Sequence, residues 1–109
     1  MTRRYTLLSN KTATGAGDST PPIQDNAQSS SNRTAQVVGT TTAGAGAAAV
    51  NIEVSNDGSN WLVAGTVTLT LSTTSTSDGF VIDAAWLFVR ANVTSISGTG
   101  AAVSAYLGV

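Results

Sequence analysis

Few groups in this sequence can carry chemistry. Its acids are Asp18, Asp25, Glu53, Asp57, Asp78 and Asp83, and it holds no histidine and no cysteine. That removes the commonest general base and transition-metal ligand, together with thiolate catalysis, disulfides and cysteine zinc sites. What remains is carboxylate chemistry, and a glycosidase would need two carboxyl groups facing one cleft. Asp57 and Asp78 each precede a glycine, a pairing that marks turns, and both are assigned to turns. Residues 56–60, NDGSN, have the flavour of a calcium loop. They lack the further carboxylates and closing glutamate that an EF-type loop requires, so the segment reads as a hairpin turn. Gly44 and Gly46 do not make a dinucleotide loop, which needs a third glycine and a following helix. The Asn-x-Thr triplets at Asn10, Asn32 and Asn92 are what a Thr-rich chain produces by chance. The sequence predicts no enzyme, no cofactor and no bound metal.

The remaining candidates are recognition residues. Trp and Tyr are enriched at interface hot spots and sugar-stacking platforms, which singles out Tyr5, Trp61, Trp86 and Tyr106, with Phe88 beside them. Trp61 follows a turn and is expected to plug the core. Trp86, Phe88 and Tyr106 lie opposite the inferred core face and are expected at an intersubunit contact. Arg90 is the one charge inside a strongly apolar stretch. Its partner is Asp83 or Glu53, or a group across an interface. Arg3 and Arg4 are adjacent, but two charges on a chain of net charge −1 make no basic stripe, so no nucleic-acid partner is expected.

The elements that would position these residues are strands. From Val50 onward apolar and polar residues alternate: Val50, Ile52 and Val54; Val67, Leu69 and Leu71 between threonines; Leu87, Val89, Ala91 and Val93; and Val103, Ala105, Leu107 and Val109. That period of two marks half-buried strands. Residues 55–60, 72–77, 78–79 and 97–100 read as loops and turns. Earlier, residues 2–8 and 33–42 read as strands, and residues 42–49 as a Gly/Ala-rich connection. Residues 9–32 hold Pro21, Pro22 and a polar tract, with Ile23 as the one sizeable apolar anchor. A free chain of that composition would be a flexible arm. The expected fold is all-β: an antiparallel, jelly-roll-like β-sandwich of seven or eight strands. Residues 1–32 would form a first strand and extended arm, and residues 33–109 the sandwich.

Length and composition agree with one domain. The chain has 109 residues, and only 10% are charged, against about 25% in an ordinary globular domain. Thr, Ser, Ala and Gly fill the difference. Such surfaces suit pleated strands and suit burial against other subunits, because little charge must be desolvated. No apolar run approaches the ~18 residues of a membrane span, and the N-terminus lacks the apolar core of a signal peptide. The expectation is a product made in a cytoplasm, with no membrane partner.

Two stretches, IEVSNDGSNWLVAGTVTL (52–69) and WLFVRANVTSISGTGAAVSAYLGV (86–109), resemble a recurrent type of small tailed-phage virion protein. Proteins of that type share a strand, an S-x-DG-x-x-W turn and a late hairpin of the form R-A-N-V-T … G-T-G-A-x-V. The resemblance covers about the last sixty residues. The turn is also similar to that of discoidin-like carbohydrate-binding domains, but this chain is shorter and lacks their cysteines. The virion resemblance implies a β-sandwich on a capsid or tail, assembled as a symmetric homo-oligomer, often a trimer. It implies no catalytic residues. The expected function is capsid decoration (cement) on the virion surface, with the chain itself and the major capsid protein as partners. The interface residues would be Arg3, Arg4, Tyr5, Pro21, Pro22, Ile23, Trp86, Phe88, Arg90 and Tyr106. The alternatives are a glycan-binding module of a fibre or tail, and a head–tail or tail component.

Overall fold

The computed structural model describes residues 4–21, 23, 33–82 and 86–108. It is an all-β sandwich of eight strands: β1 (Arg4–Lys11), β2 (Gly15–Ala16), β3 (Arg33–Thr40), β4 (Ala43–Ser55), β5 (Leu62–Leu71), β6 (Thr76–Ile82), β7 (Phe88–Thr99) and β8 (Ala102–Gly108). They form two four-stranded sheets, sheet A in the order β1-β8-β3-β6 and sheet B in the order β2-β7-β4-β5. Every pairing is antiparallel. Strand 1 pairs with 8, 2 with 7, 3 with 6 and 4 with 5, so the chain is one long hairpin rolled onto itself. The β8–β3 and β7–β4 ladders close the roll. This is the jelly-roll winding.

Alternation produces this arrangement directly. On β4, β5, β7 and β8 the residues Val50, Ile52, Val54, Val67, Leu69, Leu71, Val89, Ala91, Val93, Val103, Ala105 and Leu107 all point inward and are buried. Their neighbours point out, as the pleat requires. Two sheets with such inner faces bury them against each other. The β4–β5 turn follows the Asp57–Gly58 expectation, with Gly58 at φ 76°, a conformation that favours glycine. β4 and β5 are the one consecutive pair that stays in a single sheet. Of the expected turn at 97–100, Ser97–Thr99 are the end of β7 and only Gly100 lies outside a strand; the chain there passes from sheet B to sheet A instead of closing a hairpin.

Several expectations need correction. The Gly/Ala connection at 42–49 is the first half of the 13-residue strand β4. Small residues are required there, since a Cβ on Gly46 would collide with the Ser97 carbonyl of β7. Asp78–Gly79 is no turn: both lie inside β6, opposite Val37 and Gln36. Gly79 is there because a Cβ would strike the Ala35 carbonyl of the neighbouring strand. Leu87 precedes β7 and is exposed.

The N-terminal segment is also more integrated than an arm. β1 is an edge strand of sheet A, and irregularities in its register with β8 let consecutive Leu7 and Leu8 both enter the core. Beyond β2 the chain runs beside β7. The Gly17, Thr20 and Ile23 N–H groups donate to the Ala91, Val89 and Leu87 carbonyls at 2.8–2.9 Å. Ile23 is buried in the common core.

The core should respond to truncation far more than the rim. Leu107→Ala or Leu71→Ala, at fully buried sites, should each cost about 2–5 kcal/mol. Leu62→Ala, at a side chain 59% exposed, should stay within about 0.5 kcal/mol. Urea unfolding midpoints of the three variants test this.

Candidate functional site

The described residues contain no group of three or more acids able to hold a metal ion. The chemistry-bearing side chains instead collect in one cluster on the outer face of sheet B, and register explains it. Glu53 on β4 lies directly opposite Arg90 on β7, and Asn51 opposite Asn92. Cross-strand neighbours on one face lie within reach of each other's side chains. Arg90 Nε donates to Glu53 Oε1 at 2.6 Å, and Asn92 Nδ2 to Glu53 Oε2 at 3.2 Å. Both carboxylate oxygens are thereby engaged, which is what permits Glu53 to be buried on an outer face. Glu53 is thus the partner of Arg90 within the chain, and Asp83 lies outside the described residues. The Arg90 guanidinium also lies over the Trp61 ring, 4.3 Å from its centroid, within cation–π range.

Trp61 is thus not the core plug its position suggested. It is half-buried and stacks outward against Arg90. The register irregularity opposite Ile52 and Glu53, where Gly65 and Val63 are the successive partners, re-aims the start of β5, as bulges do. Nothing in the alternation of the sequence announces that shift.

The expected interface residues do not form one surface. Arg3 and Pro22 lie outside the described residues. Arg4 lies over the Tyr106 ring at 4.9 Å on the outer face of sheet A. Tyr106 is half-buried there, flanked by Thr6 on β1 and Gln36 on β3. Tyr5 and Trp86 are partly buried and pack against the core. Trp86 therefore faces the core rather than away from it, because it precedes the first residue of β7 and escapes that strand's alternation. Pro21 is exposed, whereas Ile23 is a core residue. Phe88 is half-buried on the outer side of sheet B, and a Cβ on Gly58 would sit 3.6 Å from its ring. Arg90 alone joins the cluster with Glu53, Asn92 and Trp61.

Next to it stands the β4–β5 turn. Asp57 Oδ1 accepts from the Ser59 and Asn60 N–H groups at 2.9 and 2.8 Å and from the Ser55 hydroxyl at 2.8 Å. Its Oδ2 accepts from Asn60 Nδ2 at 2.8 Å. These bonds, those from Asn60 foremost, hold the Asp57 carboxyl well below the usual carboxylate range. The assigned turn role accounts for every one of them.

Neither a scan against protein-family models nor searches of the curated proteins and the solved structures found a match to this chain.

Arg90→Met leaves the Glu53 carboxylate enclosed without its cation. Arg90 is 28% exposed, so the ~3–5 kcal/mol typical of a broken buried pair is trimmed to about 2–3 kcal/mol. The double variant Glu53→Gln/Arg90→Met should recover much of that loss in a thermal-melt cycle. For Asp57 the folded-state pKa is depressed. Its contribution is therefore present above the unfolded value of about 3.9 and is lost as pH falls below it. Between pH 5 and pH 2.5 the wild type should lose more of its urea midpoint than Asp57→Asn, and equal losses would contradict the linkage.

Proposed function

We propose that this chain is a structural protein of a bacteriophage virion, a capsid decoration protein that binds the head shell and stabilises it through contacts with its own copies and the major capsid protein. The observation that carries the reading is the surface of the roll. The outer face of sheet A presents Thr6, Thr34, Gln36 and Ser104 around Tyr106, and that of sheet B presents Ala47, Thr66, Thr68 and Thr70. Among the described residues, Arg4 over Tyr106 and the Glu53–Arg90 pair are the charges on these faces; the rest of each is uncharged and loses little on dehydration. Jelly rolls also recur in viral capsid domains, an analogy at the level of fold alone.

The sandwich as a whole is the docking body in this reading. Deleting residues 1–32 would remove β1 and Ile23 from the core, so the arm cannot be tested by truncation without damaging the fold. The full chain, added to undecorated phage heads, should bind in hundreds of copies and raise the temperature at which the shells break. Cryo-electron microscopy with mass measurement reads both. No binding, or a few to a dozen copies per particle as a tail component would give, defeats the decoration reading.

A second reading, a carbohydrate-binding module of a fibre or tail, is favoured by one observation: a half-buried tryptophan beside a carboxylate and an amide on an outer face. Glycan-array binding that disappears in Trp61→Ala would support it, and a silent array for the wild type would remove it.

A further inference from the structure

A β-sandwich has four edges, and natural proteins blunt edges that must not pair. Three of these four are blunted. β1 is broken by two register irregularities and carries Arg4 and Lys11. β2 is two residues long, and the chain that follows it lies along β7. β6 carries exposed Asp78, whose carboxylate accepts from the Gly79 N–H at 2.8 Å. The fourth edge, β5, has its irregularity near Gly65. From Thr66 to Leu71 it runs regularly against β4, with no charge and no proline.

The direction of the β5 backbone groups can be read from the neighbouring strands. The Ala49 carbonyl on β4 accepts the Thr94 hydroxyl of β7 at 3.2 Å, so it points away from β5. In an antiparallel pair opposite residues both face in or both face out. Ala49 is opposite Thr68, so the Thr68 N–H and C=O point out of the open edge. With the period of two, so do those of Thr66 and Thr70. The Thr70 carbonyl accordingly accepts the Thr76 hydroxyl at 3.3 Å, which occupies that end. Among the described residues no strand pairs with this side of β5.

We propose that β5 is a self-pairing edge: a second copy of this chain adds its own β5 antiparallel to it, about a two-fold axis through Val67. Thr66 then stands opposite Thr68 of the second copy, and Thr68 opposite Thr66. Reversal about Val67 exchanges Thr66 with Thr68 and returns Val67 to itself, so the centre of the strand, with threonines outward and Val67 inward, is complementary to itself. An uncharged edge also has no field to repel its copy. The two B sheets become one continuous sheet, and cross-strand Thr–Thr pairs line its outer face. This pairing is a property of the isolated chain and does not depend on the virion reading. Failure to decorate heads would leave it standing.

Light scattering coupled to gel filtration, over a range of concentrations, tests it on the full chain. The wild type should be a dimer. Hydrogen exchange should show the Thr66 and Thr68 amides protected in the dimer and released on dilution. Thr66→Lys/Thr68→Lys sets lysines opposite lysines and should weaken dimerisation by roughly tenfold or more, and Thr66→Glu/Thr68→Glu should do the same with acids. Both replace exposed side chains, and cooperative melting checks that each variant folds. Mixing the two should restore a heterodimer. A wild-type monomer or trimer at every concentration overturns the proposal. So does protection of these amides in a monomer, which would show the edge covered from within the chain, or a dimer indifferent to both charge variants.

Discussion

The ladder between β4 and β7 is the constraint on which the rest of the molecule depends. It joins Val50 to Val93 and Val54 to Val89, residues far apart in sequence, and so converts a long hairpin into a closed roll. On one side of this ladder β5 extends the sheet from β4. On the other, β2 and the backbone groups of Gly17, Thr20 and Ile23 are bonded along β7. Its inner face supplies the centre of the core with Val50, Ile52, Val54, Val89, Ala91 and Val93. Its outer face carries the Glu53–Arg90 pair. Such non-local pairing must overcome loop-closure entropy before it is rewarded, so the whole roll gains stability together rather than strand by strand.

The polar cluster follows from the same register. Once Ile52 and Val54 face inward, Glu53 must face outward, directly opposite Arg90. The carboxylate is satisfied by Arg90 and Asn92, while the guanidinium donates to it through Nε and lies over the Trp61 ring. A cluster bonded across these strands is first an outer brace between β4, β7 and Trp61 at the start of β5. Removing one charge exposes the cost of enclosing the other, whereas removing both leaves neutral groups of similar bulk.

Where side chains are large and alternate, the sequence shows the fold openly. Val67, Leu69 and Leu71 between threonines, or Val103, Ala105 and Leu107, admit no other reading, and the sandwich class follows from them. The first half of β4 was hidden because Ala and Gly give no alternation to read. Its strand character comes from β7, whose Ser97 carbonyl passes too close for a side chain at Gly46. Asp78–Gly79 misled for a related reason: the glycine makes room for the neighbouring strand instead of turning the chain. The outward direction of Trp61 is not legible because a register shift changes which way a residue points without changing composition. Half of the cluster is legible, since Arg90 alone in an apolar stretch calls for an acid such as Glu53. Asn92 and Trp61 join it only through three-dimensional register.

The N-terminal segment bears most directly on how the protein could meet neighbours. Its composition reads as an arm, yet Leu7, Leu8 and Ile23 are buried in the same core as Val50 and Leu107. Backbone bonds from Gly17, Thr20 and Ile23 hold it to β7. To lend this segment to another subunit the molecule would have to expose those apolar side chains and break that ladder, a partial unfolding rather than the release of a loose tail. The surfaces that cost little to offer are the ones already outside: the Thr-rich faces of the two sheets and the uncharged edge of β5. Association that uses them leaves the roll intact, and the protein can then join an assembly as a rigid body whose stability is settled before it binds.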